Sequence, residues 1–188
     1  SKDKNIIVWN TSNWTEINKI KAHDSEILSL AFSPDGKFIA SADSAGVVLV
    51  WNTASGRIYR RLVGSGAEIL QLAFSADGQR LSTGDRTGRI NIWSLRSITA
   101  PTILEGHNDY VQAIAFSEDD RYLVSGSKDQ TVKIWDLEKN ISTHSFDSGF
   151  RCIGKVCFCN DGKTVLAASE QNEVKGWSLE TLKELSSD

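Results

Sequence analysis

Tryptophans stand at positions 9, 51, 93, 135 and 177, and every step between them is 42 residues. Phe32, Phe74, Phe116 and Phe158 keep the same step, as do Asp35, Asp77, Asp119 and Asp161. A fixed period of this length constrains the fold more than any composition value. It means one supersecondary unit stacked on copies of itself, each too small to bury its apolar face alone. No linker or low-complexity run interrupts the register, and the constant Trp spacing leaves no room for an insertion.

The clearest copy runs from Gly106 to Asp136. Val111 to Phe116, Tyr122 to Ser127 and Val132 to Trp135 are short runs rich in β-branched, aromatic and small residues. The polar clusters Ser117-Glu118-Asp119-Asp120 and Lys128-Asp129-Gln130 separate them, so they read as three antiparallel strands joined by tight turns. The opening Gly106-His107 pair and the closing Trp135-Asp136 pair make this unit resemble the WD-repeat β-propeller family. The other units keep the Trp and vary its neighbour: Trp9-Asn10, Trp51-Asn52, Trp93-Ser94 and Trp177-Ser178.

The resemblance implies an all-β fold, a WD-repeat β-propeller segment of four complete four-stranded blades plus two strands of a fifth. One repeat array over 1–188 divides into a partial blade with outer strands only (1–21) and blades at 22–63, 64–105, 106–147 and 148–188. Ser1-Lys2-Asp3 repeats Ser127-Lys128-Asp129, so the sequence opens inside a turn and Ile6 to Trp9 is a third strand. Together with the absence of methionine, this predicts an open arc of a larger propeller, with the remaining blades of a parent chain as its neighbours. Asp120 stands where the other units have Gly, a substitution Asp tolerates at positive φ. In the last blade Gly176 weakens the third strand, and Leu182 to Leu185 is the expected outer strand.

The net charge of −3 and pI near 5.7 show no bias toward polyanions, and Lys and Arg are scattered, so nucleic acid is not an expected partner. No apolar run approaches the roughly 20 residues of a membrane span. Three cysteines, few and odd in number, fit a reducing interior. The expected location is intracellular and cytoplasmic, with the nucleus open.

His107, Ser125 and Asp129 have the residue types of a catalytic triad. The family resemblance implies a different role, a buried structural hydrogen-bond network of His107, Ser125, Asp129 and Trp135. The other blades carry graded losses from that template: His23, Ser41 and Trp51 with Ala45 in the Asp position; Thr83 and Trp93 with Ser65 and Thr87; and Trp177 with Gly149, Ala167 and Gln171. No enzyme is therefore expected. Of Cys152, Cys157 and Cys159, Cys157 occupies the position of Ala31, Ala73 and Ala115 and Cys159 that of Ser33, Ser75 and Ser117, and there is no Cys-x-x-Cys pair and no His close in sequence, so no metal and no cofactor is expected. A P-loop is absent.

In propellers, by the same resemblance, the loop before the innermost strand and the turn after the second strand open around the central channel and take protein or peptide partners. The residues there are Glu26 and Leu28, Glu68 and Leu70, Tyr110 and Gln112, Cys152 and Gly154, with Ser44, Arg86, Lys128 and Glu170 beside them. They are periodic in position and varied in chemistry, as a specific surface requires. Trp14 breaks the repeat, since Gly56, Ile98 and Asn140 hold its position. It is expected either to pack on the blade edge or to serve as an edge contact for a partner. The function expected is a non-catalytic protein–protein interaction scaffold. Its alternative is a regulatory or sensor domain of a larger signalling protein, and an enzyme or small-ligand propeller ranks behind both.

Overall fold

The computed structural model describes residues 1–64 and 66–185, and among them seventeen strands form five antiparallel sheets. The first sheet pairs β1 (Asn5–Asn10) with β2 (Thr15–Lys21). Blade 1 runs β3 (Ile27–Phe32), β4 (Phe38–Asp43), β5 (Val47–Asn52) and β6 (Ile58–Val63). Blade 2 runs β7 (Ile69–Phe74), β8 (Arg80–Asp85), β9 (Ile90–Ser94) and β10 (Thr102–Leu104). Blade 3 holds β11 (Val111–Phe116), β12 (Tyr122–Ser127), β13 (Thr131–Asp136) and β14 (Ile141–Asp147). Blade 4 holds β15 (Ile153–Phe158), β16 (Thr164–Ser169) and β17 (Val174–Ser178).

The recurring Asp has a local job. In the turn after the first strand, Ser33 Oγ donates to Asp35 at 2.7 Å and accepts the Phe38 N–H at 2.9 Å. Ser75 with Asp77 and Ser117 with Asp119 repeat the device. Side chains thus satisfy turn N–H groups that the sheet leaves over. Asp120 takes up φ 58° in this turn, where Gly36, Gly78 and Gly162 stand in the other blades.

The outer strand of blade 4 differs from the sequence expectation. Leu182 to Leu185 forms only a single bridge, Trp177 to Glu184, although Leu185 N–H donates to Gly176 C=O at 2.7 Å. Gly176 is not a void, because a Cβ there would lie 2.8 Å from Leu166 Cδ2 and 3.3 Å from Leu185 Cδ1. The neighbours have filled the space that a side chain holds in the other blades.

Each blade buries its first strand against the blade before it. Ile69, Leu72, Leu81 and Trp93 of blade 2 share a core with Ala40, Ala42, Val48, Val50 and Leu62 of blade 1. The same arrangement joins blades 2 and 3, and blades 3 and 4. Close approach demands small residues at the end of the second strand: a Cβ on Gly126 would sit 2.4 Å from Ile153 Cγ2. The five sheets form an open arc, and its two end faces differ from its interior. Leu30 is 53% exposed where its equivalent Leu72 is 4%, and Val174 is 66% exposed where Val132 is fully buried.

Candidate functional site at the channel mouth

The loop before each first strand and the turn after each second strand lie side by side. Ser44 N–H donates to Glu26 C=O at 2.9 Å, Arg86 N–H to Glu68 C=O at 3.0 Å, and Lys128 N–H to Tyr110 C=O at 2.9 Å. These bonds fix the mouth residues in pairs. A register shift at the start of every first strand falls between Ile27 and Ser29, Ile69 and Gln71, Val111 and Ala113, and Ile153 and Lys155. The skipped residues are Leu28, Leu70, Gln112 and Gly154. A bulge re-aims the side chain of its extra residue, which accounts for the periodic placement of these four residues.

The structure brings one subset into contact. Arg86 Cζ and Lys128 Nζ each lie 4.7 Å from the centroid of the Tyr110 ring. Arg86 also pairs with Glu68. Hydrogen bonding to Tyr110, followed by the charge of Glu68, holds the Arg86 guanidinium above its ordinary pKa. Gln112 Nε2 donates to Cys152 Sγ at 3.2 Å, while its Oε1 is buried without an acceptor's partner among the described residues. Glu26 and Leu70 are half-buried, and Leu28 is exposed one blade away. The cluster therefore offers an aromatic face, two cations and an orphaned amide oxygen across the first-strand ends of blades 2, 3 and 4.

Beneath the mouth, His107 Nε2 meets Ser125 Oγ at 2.7 Å and His107 Nδ1 meets Asp129 Oδ2 at 2.9 Å. Trp135 Nε1 donates to the same Ser125 Oγ at 2.7 Å. The indole can only donate, so the serine hydroxyl donates onward to Nε2 and the Nδ1–H donates to the carboxylate. Burial lowers the His107 pKa, so at neutral pH the imidazole is uncharged and its bond to Asp129 is not an ion pair. Burial works against the Asp129 carboxylate, but hydrogen bonds from Thr131 Oγ1 and Asn108 N–H and the proximity of His107 outweigh it and lower its pKa to about 2. Ser125 is fully buried, with its hydroxyl engaged on both sides and no face open to a substrate.

Blade 1 corrects one sequence reading. Ala45 does not mark a lost carboxylate, because Asp43, two residues earlier, takes its place. His23 Nδ1 meets Asp43 Oδ2 at 2.9 Å, His23 Nε2 meets Ser41 Oγ at 2.7 Å, and Trp51 Nε1 donates to Ser41 Oγ at 2.9 Å. Blade 3 is thus not alone in holding all four members. In blade 2, Thr83 Oγ1 accepts from Trp93 Nε1 and Asn91 Nδ2, each at 3.4 Å, and Asn91 was not legible as a member. Ser65, the residue in the His position there, lies outside the described residues.

Trp14 does not pack on the blade edge: it is 75% exposed, at φ 57°, in the turn between β1 and β2. Gly56, Asn140 and Leu182 share that left-handed position and Ile98 does not, so Trp14 keeps the backbone of three of its four equivalents while its residue type departs from all of them. Cys152, Cys157 and Cys159 are free, and the described residues contain no group of three metal-ligating side chains.

The family model described as WD domain, G-beta repeat matches residues 14–52, 56–94 and 99–136. Among solved structures, the chain is similar to one titled Crystal Structure of Mitotic Checkpoint Complex, with TM-score 0.89 and 23% identity over 97% of this chain and 57% of that one. It is also similar to Structure of U3-55K, with TM-score 0.79 and 26% identity over 87% and 52% of the two chains. A third, Crystal structure of RRP9 WD40 repeats, has TM-score 0.80 and 26% identity over 87% and 51%. The chain spans about half the length of these structures. No curated protein matches it. With three repeats matched in sequence and the blade architecture in place, the chain belongs to the WD domain, G-beta repeat family.

Proposed function

We propose that this chain is a non-catalytic scaffold for protein–protein contacts and forms part of a larger propeller. Propellers of this family generally mediate protein interactions. The observation that carries the reading for this chain is the mouth cluster, in which Arg86 and Lys128 both lie against the Tyr110 ring beside Glu68. A rigid aromatic ring set among oriented charges has the composition of an interface anchor, with the ring supplying energy and the charges setting orientation and on-rate. Glu26, Leu28, Leu70 and Gln112 extend the surface on either side. The exposed end faces around Leu30 and Val174 support further blades at both ends of the arc.

The partner is a protein or peptide, and the working compartment is intracellular. Among the described residues no helix is long and apolar enough to cross a membrane, which says nothing of a β-barrel. The test is capture of partners from cell extract with the wild-type protein, then titration of the captured protein against variants. Tyr110→Ala should weaken binding by about 1–3 kcal/mol and leave the melting temperature nearly unchanged. Glu68→Lys should mainly alter the salt dependence of association. Indifference to both changes would move the site away from the mouth, with the edge near Trp14 next to be tried.

A further inference from the structure

The opposite end of the sheets, where the turns after the first strands lie, differs from one blade interface to the next. Between blades 2 and 3 these turns are clipped together. The Asp120 carboxylate accepts the Ala76 N–H at 2.6 Å and the Asp77 N–H at 2.8 Å. Arg80 completes the plug: its guanidinium lies 5.6 Å from the Phe116 ring centroid and donates to the Asp120 carbonyl. One carboxylate and one cation thus close the space between the two blades.

Between blades 3 and 4 both parts of the plug are missing. Gly162 stands where Asp120 stands one blade earlier, and Tyr122 stands where Arg80 stands. A groove of about 850 Å³ opens there, lined on one side by Phe116, Ser117, Glu118, Asp119 and Tyr122 and on the other by the turn from Phe158 to Gly162. The Glu118 and Asp119 N–H groups correspond to those of Ala76 and Asp77, and among the described residues no acceptor from blade 4 reaches them. Between blades 1 and 2 the paired donor is lost, because Pro34, in the place of Ala76, has no N–H to offer.

We propose that this groove binds a peptide segment of a partner protein that carries an aspartate next to a basic residue. The aspartate takes the Glu118 and Asp119 N–H pair as Asp120 takes the pair in blade 2, and the cation lies over Phe158 as Arg80 lies over Phe116. The surrounding charge selects this occupant. Asp119 already accepts Ser117 Oγ at 2.6 Å, Arg121 N–H at 3.1 Å and, in part, its own N–H, and Asp161 accepts Lys163 N–H and Thr164 N–H at 2.9 Å each. With Glu118 these carboxylates disfavour a bare or doubly charged anion. Asp77 sits beside Asp120 in the same way, and Arg80 offsets the pair, so an occupant must bring its own cation.

The site belongs to the turn face, so its fate is independent of the mouth reading. The test uses backbone amide NMR of the protein with a capped Gly-Asp-Arg-Gly peptide. The Glu118 and Asp119 amides should shift on titration, and a Gly-Asn-Arg-Gly peptide should bind about tenfold more weakly, since the charge-assisted pair is lost. Gly162→Asp combined with Tyr122→Arg, which supplies both the carboxylate and the cation of the blade 2–3 plug, should fill the groove from within. A Cβ on Gly162 meets nothing within 4 Å, and Asp120 shows that aspartate accepts this backbone at φ 58°. That variant should move both amides by itself and abolish the peptide response. Asp120→Gly combined with Arg80→Tyr should open a second groove, reported by Ala76 and Asp77. Unmoved amides with the Asp peptide, equal binding of the Asn peptide, or a silent spectrum of the Gly162→Asp, Tyr122→Arg double variant would each overturn the proposal.

Discussion

Blades 1 and 3 build one hydrogen-bond chain from two different sequences. In blade 3 the work at the second turn is divided: Ser127 Oγ accepts the Asp129 N–H at 3.1 Å, and Asp129 Oδ1 accepts the Thr131 N–H at 2.9 Å while Oδ2 faces His107. In blade 1 the single carboxylate of Asp43 does both. Its Oδ1 accepts the Ala45 and Val47 N–H groups at 3.0 and 2.9 Å, and its Oδ2 faces His23. The template therefore constrains where a carboxylate oxygen ends up, not which register position supplies it. Blade 4, with Gly149, Ala167 and Gln171, has no such chain and keeps only a buried Trp177.

The largest effect should come from removing either carboxylate. Asp43→Ala leaves the buried His23 Nδ1–H without an acceptor and Asp129→Ala leaves His107 Nδ1–H only the longer contact to Thr131 Oγ1 at 3.2 Å, each at a cost of about 1–3 kcal/mol in urea melts. The control Gln171→Ala in blade 4 should cost far less. The sharper experiment moves the carboxylate between addresses. Asp43→Ser combined with Ala45→Asp gives blade 1 the Ser and Asp of the blade 3 turn and should recover more than half of the loss. A silent Asp43→Ala, or no recovery in the double variant, would break the equivalence of the two blades.

The same comparison shows what the sequence made legible. The period, the strand order within blades and the turn positions are written in residue spacing, because a strand pattern and a Ser-x-Asp turn are local properties. The Asp43 substitution was hidden, because fixed-register comparison looks only at position 45 and a side chain can reach two residues along. Asn91 was hidden for the same reason: it stands where blade 1 has Leu49, and only the fold shows its amide facing Thr83. At the channel mouth, Tyr110, Arg86 and Lys128 could be assigned to one face from their positions. Their gathering around one ring depends on the bulge before Ala113 and on the angle between blades 2 and 3, neither of which a linear pattern encodes.

Acid should act on both blades together. The His23 and His107 pKa values are lowered in the fold, chiefly by burial, from an ordinary 6.5. The unfolded chain then binds more protons than the folded one below that pH, so stability is full above it and falls as the solution is acidified. Asp129, at about 2 against an ordinary 3.8, adds a second loss between those two values. Urea midpoints measured downward from pH 7 should decline first through the histidine range. A His23→Gln, His107→Gln double variant should lose much of that first decline. An unchanged slope in the variant would place the acid sensitivity elsewhere and leave the two chains without a shared titration.

The smallest effect separates the first sheet from blade 1 at one turn position. Trp14 and Gly56 share the left-handed backbone, at φ 57° and 64°. A residue with a Cβ is disfavoured there by about 1–2 kcal/mol, and glycine is not. Trp14 offsets little of that by burial, being 75% exposed. Trp14→Gly should therefore raise stability, by about 0.5–1 kcal/mol once the greater freedom of glycine in the unfolded chain is counted. Asn140→Gly at the equivalent turn of blade 3 should gain less, because asparagine tolerates this conformation. A drop in stability for Trp14→Gly would mean that the indole packs in solution as it does not here. If stability rises while capture of a partner from extract weakens, the strained tryptophan is held at the edge for binding, and the first sheet contributes to the interface as well as the mouth.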